Sequence, residues 1–158
     1  MKTGLVFSGA EGRQRHVGQI RTTITLENRS DMEAVERGDL QESAVRRFVF
    51  DRVLVDIGAN LLALPAATIA ALGVKVRREV DVETAAGFQK ANIFRGCELT
   101  VDVAKDRSIT VDCLELPGGE SVLLGVLPLE ELGIDVDIQN HRLIVLPDRG
   151  PDTYVMAL

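Results

Sequence analysis

Val53-Leu54-Val55-Asp56-Ile57-Gly58-Ala59-Asn60, continued by residues 61–64 and Pro65, runs from an apolar strand straight into a carboxylate. Gly58 lets the backbone turn immediately afterwards, and a short apolar helix opens at Pro65. A carboxylate at the end of a buried strand is costly unless it is hydrogen-bonded or shares a proton. That cost makes Asp56 the first candidate for chemistry. The tripeptide Asp-x-Gly also serves ordinary turns, and chance supplies about one in a chain of this length, so the frame around it matters more than the tripeptide.

That frame occurs twice. Residues 121–134 read Ser-Val-Leu-Leu-Gly-Val-Leu-Pro-Leu-Glu-Glu-Leu-Gly-Ile. Both segments run apolar strand, Gly, Leu-Pro, short helix, Leu-Gly and a β-branched residue. Gly58 matches Gly125, Leu64-Pro65 matches Leu127-Pro128, Leu72-Gly73 matches Leu132-Gly133, and Val74 matches Ile134. Pro suits the first helical position and Gly the position after the last, so each copy carries a punctuated helix. From Gly to Pro the first copy takes seven steps and the second three, which predicts a longer loop in the first. In the second copy, Leu123-Leu124-Gly125 puts Leu123 in the slot of Asp56. The chain therefore reads as a pseudo-repeat with one carboxylate where symmetry would allow two.

Asp-x-Gly-Ala after an apolar strand, followed by apolar-apolar-Gly and a short helix near the C-terminus, resembles the retropepsin-type aspartic proteases, in style the bacterial stand-alone members. The resemblance covers about residues 17–147. It departs from the family at Ile57, where Asp-Thr-Gly or Asp-Ser-Gly is usual. It departs from the viral members also at Val126, in place of their Arg, and at Asn60, in place of their acid. The resemblance implies an all-β domain of mostly antiparallel strands with one or two short helices. It further implies Asp56 as catalytic carboxylate, an active loop of Ile57, Gly58 and Ala59, and Gly58 as backbone donor to Asp56.

Composition agrees with one compact domain over residues 1–158, since 158 residues at 46% hydrophobic suffice for a core. A net charge of −6 and no Trp argue against nucleic acid. No run approaches a membrane span, and residues 5–7 are too short for a secretory h-region. Two cysteines without a signal predict a reducing, cytoplasmic setting. His16 and His141 stand apart from any Cys/His cluster, so no metal and no cofactor is expected; His141 reads as a solvated turn residue.

Along the chain, residues 1–7 predict a short β segment, 9–18 a loose Gly-rich stretch, and 19–27 an alternating strand. Residues 28–43 predict a loop with a helical turn over 32–37 capped by Asp31. Residues 76–84 and 88–94 predict a hairpin turning at Ala85-Ala86-Gly87. By the resemblance this is the flap that closes over a peptide; by pattern alone it is any surface hairpin. A second hairpin is expected from 98–103 and 108–114, with Cys97 opposite Cys113 as reduced core thiols. Residues 135–138 and 142–146 predict a last hairpin, and residues 153–158 form an apolar tail.

Peptide hydrolysis by this chemistry needs two carboxylates around one water, one ionised and one protonated. With one Asp per chain, a twofold homodimer would supply the pair. The expected activity is an aspartic endopeptidase acting on a peptide or protein. The alternative is a silent dimeric peptide-binding or regulatory module, because the hydroxyl that ties the family's two active loops together is absent at Ile57.

Overall fold

The computed structural model describes residues 5–6, 19–147 and 150–151. Among them the chain is all-β. In order come β1 (Leu5–Val6), β2 (Arg21–Asn28), α1 (Arg29–Glu36), β3 (Arg47–Val55), β4 (Leu62–Leu64), α2 (Ala66–Leu72) and β5 (Lys75–Thr84). Then follow β6 (Gly87–Val101), β7 (Ser108–Glu115), β8 (Leu123–Leu124), α3 (Val126–Glu131), β9 (Ile134–Asp137) and β10 (Arg142–Val145). Eight strands form one sheet in the order β1-β5-β6-β2-β3-β8-β4-β7, with β6 also pairing β7, while β9 and β10 pair separately. No helix of the described residues is long and apolar enough to cross a membrane.

Alternation builds the core. In β2, Thr22, Ile24, Leu26 and Asn28 are buried while their neighbours are not. Ile24 and Leu26 join Leu62, Leu64, Leu72, Leu99, Leu124 and Leu132 in the main cluster, all fully buried. A smaller cluster of Val80, Val82, Ala91, Ile93 and Leu114 lies beneath the β5–β6 hairpin, with Leu61 packed against it.

The doubled frame has a structural counterpart. Gly73 after α2 (φ +69°) and Gly133 after α3 (φ +72°) both take the left-handed conformation that ends a helix, each preceded by a fully buried Leu. The longer loop of the first copy contains β4, which runs antiparallel to β8 and parallel to β7. The helix starts differ from expectation. Pro65 precedes α2 as its N-cap, whereas Pro128 lies inside the first turn of α3, where its missing N–H is equally harmless.

Three further expectations are corrected. The segment after β2 is a helix from Arg29, and its cap is Asn28 instead of Asp31: the Asn28 side chain accepts from the Asp31 N–H at 2.9 Å and donates to the Leu72 carbonyl at 2.7 Å. A carboxylate has no donor to offer Leu72; an amide satisfies both chain ends. The strands predicted at 88–94 and 98–103 are one strand, β6. Gly96 (φ +87°) and a register shift between Phe94 and Cys97 bend it without ending it. That bulge also moves Cys97 opposite Val111 and Cys113 opposite Phe94. Both cysteines are free and buried. Hydrogen bonding to Cys113, reinforced by burial, pushes the Cys97 thiol far above the usual range, so it is no nucleophile at neutral pH. Beside them Glu98, 4% exposed, accepts from Ser108 Oγ at 2.7 Å and Thr110 Oγ1 at 2.6 Å.

Leu5–Val6 is a strand, but it pairs in parallel with Val82 and Glu83 of β5. The expectations for residues 9–18 and for the tail 153–158 lie outside the described residues.

Candidate active site

Asp56 follows the last residue of β3, half-buried, at the point where the parallel pairing of β3 with β8 ends. Its N–H donates to the Leu124 carbonyl at 3.0 Å, continuing the ladder by one bond. Its carbonyl accepts from the Ala59 N–H at 3.1 Å, closing a tight turn. Within that turn the Gly58 N–H donates to Asp56 Oδ1 at 2.9 Å. No protein donor reaches Oδ2 among the described residues, which leaves that oxygen for a water or substrate.

The second motif grips this loop from behind. The Gly125 N–H donates to the Leu61 carbonyl, that of Val126 to Ala59, and that of Leu127 to Asn60, at 3.0–3.1 Å. Ala59 is fully buried, while Ile57 is 54% exposed and Leu127 49%. Gly125 permits the close approach: a Cβ there would stand 2.6 Å from the Asn60 carbonyl carbon and the Leu61 oxygen. Leu123 pairs with Leu54 on one side and Ala63 on the other and adds no polar side chain. The sequence frame pointed to Gly125 but not to the carbonyls of Ala59, Asn60 and Leu61, which no side-chain pattern encodes.

The β5–β6 hairpin turns at Ala85 and Ala86, with Gly87 opening β6 at φ +104°. Thr84 Oγ1 donates to the Gly87 carbonyl at 2.8 Å and accepts from the Ala86 N–H at 3.2 Å. All three tip residues are exposed. The hairpin's inner face rests on Leu61, five residues after Asp56, so the cluster under the hairpin is joined to the Asp56 loop.

Among the described residues no group of three or more His, Cys, Asp or Glu side chains is placed to hold a metal ion. Among the described residues the arrangement is one carboxylate with one oxygen held and one without a protein donor, on a loop fixed by backbone bonds.

Comparison with curated proteins gives no significant match. A family model describing aspartyl proteases matches residues 47–127, just over half of the 158-residue chain. The match begins at β3, takes in the Asp56 loop and the β5–β6 hairpin, and ends on Leu127 beside that loop. The chain belongs to the aspartyl protease family.

Proposed function

We propose that this protein is an aspartic endopeptidase that works as a homodimer, each subunit contributing one Asp56. The observation that carries the reading is the held carboxylate: Gly58 fixes Oδ1, and no donor among the described residues reaches Oδ2, while Leu123 supplies no second acid. Two copies meeting on a twofold axis bring the two carboxyls to one water. One acts as general base and the other, protonated, polarises the scissile carbonyl. Ile57 and Leu127 are exposed apolar side chains at that loop, as a surface meeting its own copy requires. Ala85, Ala86 and Gly87 close over the substrate backbone. No metal or cofactor takes part in the step.

A second reading, a silent peptide-binding dimer, is favoured by one observation: Ile57 has no hydroxyl to tie the two loops. The deciding experiment is peptide cleavage by the purified protein with and without pepstatin, and with Asp56→Asn. Pepstatin-sensitive cleavage that disappears in the variant is expected. A folded dimer that cuts no member of a broad peptide library would leave the silent module. Because one proton must be shared between the carboxyls, the rate is expected to be bell-shaped in pH; a rate still rising into alkaline solution would point to other chemistry.

A further inference from the structure

A cleft of about 590 Å³ opens between the start of α1, the turn after α2 and the bases of β5, β6 and β7, and no residue of the Asp56 loop lines it. Its wall holds five cationic side chains, Arg29, Arg46, Lys75, Arg77 and Arg95, and two carboxylates, Glu33 and Asp112. The chain as a whole carries −6, so the local excess runs against the background. The ion pairs leave donors unspent. Arg77 uses Nη1 alone on both oxygens of Asp112, at 3.1 Å. Arg46 uses Nε and Nη2 on Asp31, while its Nη1 lies against Gly73, where a Cβ would collide with it. Lys75 and Arg95 meet no carboxylate among the described residues. The ladder sets these two opposite each other on the rung at the foot of the β5–β6 hairpin. Like charges directly opposite on neighbouring strands destabilise a sheet, and an anion held between them relieves that repulsion.

Charge and size narrow the ligand. Guanidinium forks and an ammonium recognise oxyanions, and two unpaired cations on one rung call for more than one negative charge. A monovalent carboxylate neutralises only one of them. Further along β5 the exposed alternating residues are Glu79, Asp81 and Glu83, so a long polyanion such as nucleic acid meets repulsion once it leaves the cleft. A compact one does not, and a cleft of this volume suits a small molecule. We infer that the cleft binds a compact multivalent oxyanion, of the kind a diphosphate group presents, and that Lys75 and Arg95 hold it. A ligand on that rung ties β5 to β6 at the foot of the hairpin. Asp56 takes no part in the binding, so Asp56→Asn is expected to bind equally, and the site stands or falls apart from the proposed proteolysis.

The test is calorimetry with inorganic pyrophosphate and, separately, with ADP, without divalent cations and with ionic strength held by sodium chloride. Pyrophosphate is expected to bind with a Kd below about 1 mM at 0.1 M salt and about tenfold more weakly at 0.5 M. Lys75→Gln and Arg95→Gln should each weaken binding about tenfold, and the double variant should abolish it. Arg95→Lys keeps the charge and should stay within about threefold, while Lys105→Gln, whose lysine pairs with Asp102 outside the cleft, should change nothing. Relief of the opposed cations should leave the double variant melting no lower than its parent, so lost binding is not lost folding. If it fails to fold, the two single variants and Arg95→Lys carry the test. Bound pyrophosphate is also expected to slow amide exchange at residues 74–77 and 94–97. ADP binding as tightly as pyrophosphate makes a nucleotide the ligand, and binding of pyrophosphate alone makes it the free anion; both uphold the site. Heat no greater than that of sodium chloride, acetate binding as well as pyrophosphate, or binding that survives in the double variant overturns the inference.

Discussion

At Ile57 the absence of a hydroxyl and the exposure of the side chain have separable consequences. Because Ile57 is 54% exposed in the single subunit, Ile57→Thr loses less than about 1 kcal/mol of apolar burial there. The restored hydroxyl would tie one active loop to the other in the dimer, so turnover is expected to rise, and Asp56→Asn in the same background should return it to zero. A variant that folds, dimerises and still cleaves nothing decides for the silent module. Asp31 shows the other side of reading by residue. Arg46 hydrogen-bonds it and holds its carboxyl below the ordinary value, against burial, which acts to raise it. A depressed folded value means stability that is complete above about pH 4, the ordinary carboxylate range, and is lost as pH falls through the lower folded value. Asp31→Asn is expected to cost about 1 kcal/mol near neutrality and to flatten the acid limb of urea midpoints against pH. Asp56 was legible in the sequence because an apolar run and a Gly bracket it. The Asp31–Arg46 pair was not, because fifteen residues, the rest of α1 and a loop, separate the partners.

Elements were legible where punctuation is local. The helix ends at Gly73 and Gly133, the alternation of β2 and the turn at Ala85-Ala86 are all written in neighbouring residues. The bulge at Gly96 was not, since a Gly between two β-rich runs reads equally well as a break. Asn28 was missed as a cap because its second partner, the Leu72 carbonyl, lies forty-four residues away. Glycine substitutions test the element scale directly. Gly125→Ala would drive a Cβ into the backbone of Asn60 and Leu61 and is expected to cost about 2 kcal/mol or more, moving the denaturation midpoint and any activity together. Gly87→Ala meets open space and suffers only from its positive φ, about 1 kcal/mol, so any activity should fall more than stability does. Equal stability losses from the two would mean that the loop yields more easily than its hydrogen bonds imply.

At the scale of the whole molecule, the proposed homodimer joins two copies through their Asp56 loops. A dimer built on the Asp56 loops makes specific activity fall on dilution, in step with dissociation measured by sedimentation. The apolar residues 154–158 are proposed to pack at that interface. Deleting them is expected to shift the protein to monomer by light scattering and to abolish cleavage; a truncated protein that stays dimeric would place the tail on its own core. The pairing of Leu5–Val6 with Val82 and Glu83 bears on timing instead of affinity. A hairpin free on its outer edge swings about its base, whereas one splinted by a third strand must shed those bonds or carry the strand with it. Removing residues 1–6 is expected to speed amide exchange at residues 80–84 while leaving the global transition nearly in place. Unchanged exchange there would show that the splint adds no stiffness. If the splint holds and the hairpin is the flap of the proposed protease, the rate at which it admits a peptide is governed from the front of the chain, and a group attached ahead of Leu5 becomes a handle on how often that flap opens.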